Sequence, residues 1–134
     1  MASLGDQMTS VEIPVSIAAA LPNLTVVDIT NDVKREVAAN GGSGIAYLSP
    51  NGDPSLVRVQ ERETGFFFDL ECLLERLVPL ETDARARLIQ LLLGPRTEQI
   101  PYDDGKLCLG QWQRVLLVRF EDQCTDEWTL TLVG

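Results

Sequence analysis

The chain has 134 residues, of which 45% are hydrophobic and 23% charged, and it carries a net charge of −9 without a single histidine. This length predicts one domain, residues 1–134, that can bury a core without disulfides. The acidic balance and the lack of any Lys or Arg run argue against a nucleic-acid partner. Without histidine there is no Ser-His-Asp or Cys-His pair and no two-histidine metal site, so neither a metal nor another cofactor is expected.

The cysteines indicate the compartment. The chain has three widely spaced cysteines, Cys72, Cys108 and Cys124. An odd number at such spacing argues for a reducing environment rather than a disulfide framework. The first residues lack a basic stretch followed by an apolar run, so no secretory signal is expected. The longest apolar runs are too short to span a bilayer. We therefore expect a cytoplasmic protein that does not enter a membrane.

The first half of the chain predicts two kinds of element. A frayed end is expected at residues 1–7. Alternation predicts an edge strand at 11–15, and residues 24–29 are expected to form a strand or an extended entry. Thr30 is placed to cap a helix over residues 31–39, with Gly41 as its stop. Strands at 44–49 and 55–61 flank a segment dense in Pro, Asn and Gly, which predicts a hairpin.

The second half predicts two helices and then more strands. The first helix covers residues 65–77, with Phe67, Leu70, Leu74 and Leu77 on one inward stripe. The second covers residues 83–93, with Thr82 as its cap. Strands follow at 97–102, 106–109, 113–121 and 127–133, the first two joined by an Asp-Gly turn. The expected fold class is α+β, with two layers of antiparallel, β-sandwich-like sheets and about three helices.

Carboxylates and arginines form the main candidate site. Glu61 and Glu63 lie two apart at a strand end, and Asp69 follows in the next helix. The cations near them in the predicted fold are Arg58, Arg85 and Arg87. The arginines of such a cluster can bind an anion, or its carboxylates can bind a hard cation through oxygen ligands. It can equally be a set of surface salt bridges, which composition alone favours.

A tryptophan between two glutamines is the other local feature. Trp112 and Gln113 follow a glycine, so the indole can form the wall of a pocket. The alternative, favoured by the usual burial of tryptophan, is a large core residue.

Three segments resemble one protein family. Gly65–Pro79, Leu92–Pro95 and Gly105–Gln113 are similar in order and rough spacing to motifs of the YjbQ-like proteins, known as the secondary thiamine-phosphate synthase family. This resemblance implies a β-sandwich-like α+β subunit that assembles as a homotrimer with a polar site near the subunit contacts. It also implies a link to weak thiamine-phosphate synthase activity, although most members have no established role.

The resemblance also implies which residues form the site, and this chain departs from the family at some of those positions. Glu61 and Asp69 match acidic site positions and are the candidate catalytic residues. The histidines of the family's site are missing, and two of them align best with Arg85 and Arg87. An arginine cannot act as a base near neutral pH because its pKa stays above ~12. The candidate ligand-binding residues are Arg58, Glu63, Arg85, Arg87, Trp112 and Gln113.

Three functions remain open at this point. The first is a diverged, catalytically silent trimer that binds a small anion such as phosphate. In it, Arg85 and Arg87 pair with the carboxylates of Glu61, Glu63 or Asp69. The second is an enzyme with weak thiamine-phosphate synthase-like or other phosphate-handling activity, which predicts an open pocket. The third is a partner-binding module with a large exposed apolar patch. We favour them in that order, and whether the protein is an enzyme stays open, leaning towards no.

Overall fold

The computed structural model describes residues 24–120 and 125–134, together with the backbone of Val11–Glu12. Within them it has three helices, α1 (Thr30–Asn40), α2 (Thr64–Leu77) and α3 (Arg85–Leu93). The strands are β1 (Val11–Glu12), β2 (Thr25–Asp28), β3 (Gly44–Pro50), β4 (Ser55–Glu61), β5 (Glu98–Asp103), β6 (Lys106–Leu107), β7 (Gln113–Arg119) and β8 (Trp128–Val133). The predicted frayed end at 1–7, most of the predicted strand at 11–15, and residue 121 lie outside the described residues.

The strands form two antiparallel sheets. One, which we call the inner sheet, has the order β1-β2-β7-β4, and the other, the outer sheet, has the order β6-β5-β3-β8. Every pairing between these strands is antiparallel. The predicted α+β class with two antiparallel sheets and three helices is therefore confirmed for the described part of the chain.

The inner sheet is covered on both faces. On one face Leu116 and Val118 of β7 share a buried cluster with Phe67, Leu74 and Ile89 of the helices. On the other face, residues of the inner sheet pack against residues of the outer sheet, among them Val57, Leu117, Ala46, Leu48 and Ile100. The order of layers is therefore α2 and α3, inner sheet, outer sheet. This double burial explains the continuous apolar run at the centre of β7.

Helix α1 packs one side against the core between the sheets, and its position is close to the prediction. Val33 and Val37 are fully buried there, and the helix ends at Gly41, whose φ of 70° is the left-handed conformation that favours glycine. Thr30 is not a side-chain cap as predicted. It is the first helical residue, and its hydroxyl donates to Asp28 Oδ1 at 2.6 Å and accepts from the Val115 amide at 2.7 Å.

The predicted hairpin between 44–49 and 55–61 is wrong. β3 pairs with β5 and β8 in the outer sheet, whereas β4 pairs with β7 in the inner sheet. The connection is a crossover between layers, and Arg96 holds it by donating from Nη2 to the carbonyls of Pro50 at 3.1 Å and Gly52 at 2.6 Å. Each strand buries apolar residues between the sheets, so the two gain more by facing each other than by pairing.

Helix boundaries differ from the predictions for local reasons. α2 is capped by Glu63, whose carboxylate accepts from the Phe66 amide at 2.6 Å. α3 begins at Arg85 rather than residue 83, after Ala84 in a left-handed conformation, so Thr82 does not cap it. Leu77, predicted to face inward, is 61% exposed, and Val78 is buried in its place.

The Asp-Gly turn predicted between β5 and β6 is confirmed. Asp104 and Gly105 have φ values of 52° and 72°, the paired positive angles of a type I′ hairpin. The strands on either side pair Asp103 with Lys106. No helix in the described part of the chain is long and apolar enough to cross a membrane.

The layering predicts a large difference between two identical substitutions. Val57 is fully buried between the sheets, and Val133 on β8 is 55% exposed. Val57→Ala is expected to lower the free energy of unfolding by about 2 kcal/mol because it leaves a cavity. Val133→Ala is expected to change it by less than about 0.5 kcal/mol. Urea unfolding of the two variants measures this, and equal losses would contradict the layer order.

Candidate functional site

A buried carboxylate organises one end of the inner sheet. The Asp28 side chain is 1% exposed, at the end of β2. Its Oδ1 accepts from the Thr30 amide at 3.0 Å and from the Thr30 hydroxyl at 2.6 Å. Its Oδ2 accepts from Arg114 Nε at 2.8 Å and from Arg62 Nη1 at 3.3 Å. A carboxylate at this depth needs such partners, since a buried charge without them is very costly.

The strand register brings the two arginines to Asp28. Asp28 pairs with Leu116, so Arg114, two residues earlier on β7, points to the same face of the sheet. On the other side of β7, Gln60 pairs with Arg114, and Arg62 follows just after the end of β4. Strands β2 and β7 and the residue after β4 therefore each supply one member of the cluster.

The same two arginines line an open cleft of about 510 Å³. Its lining consists of Glu61, Arg62, Glu63, Gln111, Trp112 and Arg114. Trp112 is 67% exposed. Its indole therefore lies in the wall of the cleft and not in the core. Each arginine uses one N–H on Asp28, and no other described residue accepts from either guanidinium. The cleft therefore presents spare guanidinium donors beside an aromatic face.

Three of the predicted site residues come together in this cleft: Glu61, Glu63 and Trp112. Glu61 is exposed at the end of β4. One oxygen of Glu63 is engaged at the start of α2 by the Phe66 amide. Gln113 lies opposite Glu61 in the register, but its Oε1 accepts from the Gly110 amide at 2.7 Å and shapes the loop before β7.

The other predicted residues lie elsewhere. Arg58 donates to the carbonyls of Leu93 at 2.6 Å and Pro95 at 2.9 Å, so it satisfies the carboxyl end of α3. Asp69 is exposed on α2 and is not part of the cleft lining.

The expected pairing of Arg85 and Arg87 with the carboxylates is not observed among the described residues. Arg85 donates from Nε to the Val78 carbonyl at 2.7 Å, a contact that ties the start of α3 to the end of α2. Arg87 is exposed on α3. In the part of the chain that the structure describes, no ion pair joins either arginine to Glu61, Glu63 or Asp69.

Sequence reasoning missed Asp28, Arg62 and Arg114 as a group. A signal for Asp28 was present, because it is the only charged residue in the apolar run from Leu24 to Ile29. A carboxylate inside a strand with apolar neighbours on both sides requires a cation or several donors. Its two partners are 34 and 86 residues away in the chain, so nothing local identifies them.

Among the described residues, no group of three or more Cys, Asp or Glu side chains is arranged to hold a metal ion.

Comparison with known proteins identifies the family. The family model described as UPF0047 protein YjbQ-like matches residues 18–134. The chain belongs to this family. A UPF0047 protein of Archaeoglobus fulgidus is 35% identical over 105 residues, which cover 72% of this chain and 81% of that protein. A UPF0047 protein of Methanothermobacter thermautotrophicus is 26% identical over 106 residues, covering 72% and 73%.

Several solved structures share the fold of this chain. A Clostridium acetobutylicum protein has a TM-score of 0.73 at 21% identity and covers 93% of this chain and 96% of its own. A hypothetical protein of Aeropyrum pernix has a TM-score of 0.73 at 24% identity, covering 93% and 95%. A conserved hypothetical protein of Thermus thermophilus has a TM-score of 0.69 at 27% identity, covering 94% and 100%. The resemblance stated from the three sequence segments is thereby confirmed at the level of family and fold.

The geometry predicts that Asp28 contributes more to the free energy of unfolding than any exposed carboxylate does. Asp28→Asn is expected to lower the free energy of unfolding by about 2–3 kcal/mol, because an amide N–H₂ would face two guanidinium groups. The arginine side chains are 41% and 32% exposed and keep part of their hydration, which limits the loss. Chemical denaturation measures it.

Asp69→Asn is the matched control, since it makes the same change of charge at an exposed position of α2. It is expected to change the free energy of unfolding by less than about 0.5 kcal/mol. Equal effects of the two variants would show that the Asp28 cluster is not a structural centre.

Proposed function

We propose that this YjbQ-like protein binds a small anion such as phosphate in the cleft beside Trp112, as a diverged and catalytically silent homotrimer. The observation that carries the proposal is the arrangement of Arg62 and Arg114. Each guanidinium group is anchored through one N–H on a buried carboxylate, and both arginines line the cleft.

The guanidinium donors, and not the net charge, support an anion as the ligand. Arg62 and Arg114 line the cleft together with Glu61 and Glu63, and Asp28 lies behind the two arginines, so the group holds three carboxylates against two guanidinium groups. One oxygen of Glu63 is occupied at the start of α2. Arginine is the side chain best suited to bind phosphate, because its planar fork can donate two parallel hydrogen bonds to it. Pre-anchoring the forks reduces the entropy lost on binding.

Catalytic silence is proposed from the chemistry of the residues present. The chain has no imidazole to transfer protons near neutral pH. The arginines that line the cleft remain protonated and can only donate. Binding without turnover is therefore the simplest function for this set of side chains.

The homotrimer and the cytoplasmic location are also proposals. The homotrimer rests on the family resemblance of the motif segments. The cytoplasm is supported by Cys72 and Cys108, which are exposed free thiols and are best preserved in a reducing compartment.

One observation favours a second candidate, an enzyme that handles a phosphate compound, with weak thiamine-phosphate synthase-like activity as one form. Glu61 lines the same cleft as Arg62 and Arg114, so a carboxylate that can move a proton lies beside the proposed anion site. Turnover of a phosphate compound by the wild type that is lost in Glu61→Gln would favour this candidate over silence.

The anion site can be tested by titration with inorganic phosphate and pyrophosphate, followed by tryptophan fluorescence. Trp112 is exposed in the cleft and Trp128 is buried between the sheets, and the chain has two tryptophans. The wild type is expected to show a saturable change that Trp112→Phe removes. Arg114→Gln is expected to weaken binding about 10- to 100-fold, because it removes a charged donor.

Arg87→Gln is the control, with the same loss of charge at an exposed position of α3 outside the cleft. Its affinity for phosphate is expected to equal that of the wild type. Loss of affinity in both arginine variants would indicate a general charge effect, and no saturable binding in the wild type would contradict the proposal.

A further inference from the structure

The cleft lined by Arg62 and Arg114 also contains a carboxylate that the rest of the fold does not use. Glu61 is exposed at the end of β4 and lines the same cleft. In the part of the chain that the structure describes, it forms no ion pair, because both arginines turn to Asp28 instead. The cleft therefore offers an open acceptor as well as guanidinium donors.

Alternation along the strands explains why Glu61 and the guanidinium groups stay apart. Gln60 lies opposite Arg114, and Arg114 shares one face of the inner sheet with Asp28. Successive side chains of a strand point to opposite faces, so Glu61 projects from the other face at the same end of the sheet. Arg114 therefore reaches the cleft from one face and Glu61 reaches it from the other. The positive and negative groups of the cleft lie on different sides.

The indole of Trp112 is held beside them by a tight turn. The Gln113 amide donates to the Gly110 carbonyl at 3.2 Å, and the Gly110 amide donates to Gln113 Oε1 at 2.7 Å. A Cβ at Gly110 would lie 3.1 Å from that Oε1, so the glycine permits this close turn. Gln113 in turn lies opposite Glu61 in the register. The aromatic face and the carboxylate are thus fixed at the same end of β4 and β7 before a ligand binds.

These groups match a ligand that carries two opposite charges. A simple anion gains the donors of Arg62 and Arg114, but Glu61 and Glu63 in the same lining repel it. A cationic nitrogen on the same ligand changes this balance, because a carboxylate and the face of an indole both attract a cation. Trp112, which is 67% exposed, has its ring open to such a contact. The cleft volume of about 510 Å³ is in the range of small-molecule sites.

We infer that the ligand of this cleft is a zwitterion, a phosphate monoester that carries an aliphatic ammonium group a few atoms from its phosphate. The phosphate accepts from Arg62 and Arg114, and the ammonium group lies between Glu61 and the ring of Trp112. A monoester suits the two guanidinium groups because it has nearly two negative charges and three free oxygens. The inference rests on the anion site of the proposed function and names the class of compound that the site binds.

The test compares 2-aminoethyl phosphate with ethyl phosphate, which lacks only the ammonium group, by isothermal titration calorimetry near pH 7. The wild type is expected to bind the amino compound about tenfold more tightly, through an exposed ion pair and a cation–π contact. Glu61→Gln is expected to reduce this ratio to about two, since the indole remains. It should leave the affinity for ethyl phosphate unchanged or higher. The diester glycerophosphoethanolamine, a soluble lipid headgroup, is expected to bind more weakly than the monoester.

Glu81→Gln is the matched control, because it makes the same change at an exposed position between α2 and α3, outside the cleft. It is expected to keep the wild-type ratio, which excludes an effect of the net charge of −9. A wild type that binds both monoesters equally would overturn the zwitterion and leave the anion site standing.

The remaining outcomes are equally specific. A ratio that Glu61→Gln does not change, or that Glu81→Gln lowers as much, would overturn the assignment of the ammonium group to Glu61. A diester that binds as tightly as the monoester would overturn the assignment to a monoester. Absence of binding by every compound would overturn the anion site and this inference with it.

Discussion

The burial of Asp28 is the constraint on which the open end of the inner sheet depends. Its carboxylate is 1% exposed and accepts from Thr30, Arg62 and Arg114. A carboxylate so placed requires cations and donors, and those partners come from β7, from the residue after β4 and from the first turn of α1. The Thr30 hydroxyl also accepts from the Val115 amide, so one small network joins β2, α1 and β7. The cleft exists where this network meets solvent.

The layers of the fold place this network beside the cleft. Helices α2 and α3 cover most of one face of the inner sheet, and the outer sheet covers the other. The end of the sheet carrying Asp28 is where arginine donors reach the cleft, with exposed Trp112 as one wall. Anchoring on Asp28 holds the guanidinium groups in place, which is the preorganisation on which the proposed anion site relies.

Much of the fold could be predicted because its signals are local. The helix around residues 30–40, the Asp-Gly turn and the family motifs each depend on a few neighbouring residues. The crossover after β3 could not, because a turn rich in Pro and Gly has the same composition whether its strands pair or separate into layers. For the site, Glu61, Glu63 and Trp112 were identified by short spacings. Arg62 and Arg114 were not, since only the strand register shows that they meet Asp28.

A double-mutant cycle on Asp28 and Arg114 tests this account most directly. The free energies of unfolding of Asp28→Asn, Arg114→Gln and the double variant would be measured by chemical denaturation under one set of conditions. If the buried carboxylate holds the arginine as the structure places it, the double variant loses less stability than the two single losses combined, by at least about 1 kcal/mol. Additivity within about 0.3 kcal/mol would show that the two groups do not depend on each other, and would remove the basis of the proposed anion site.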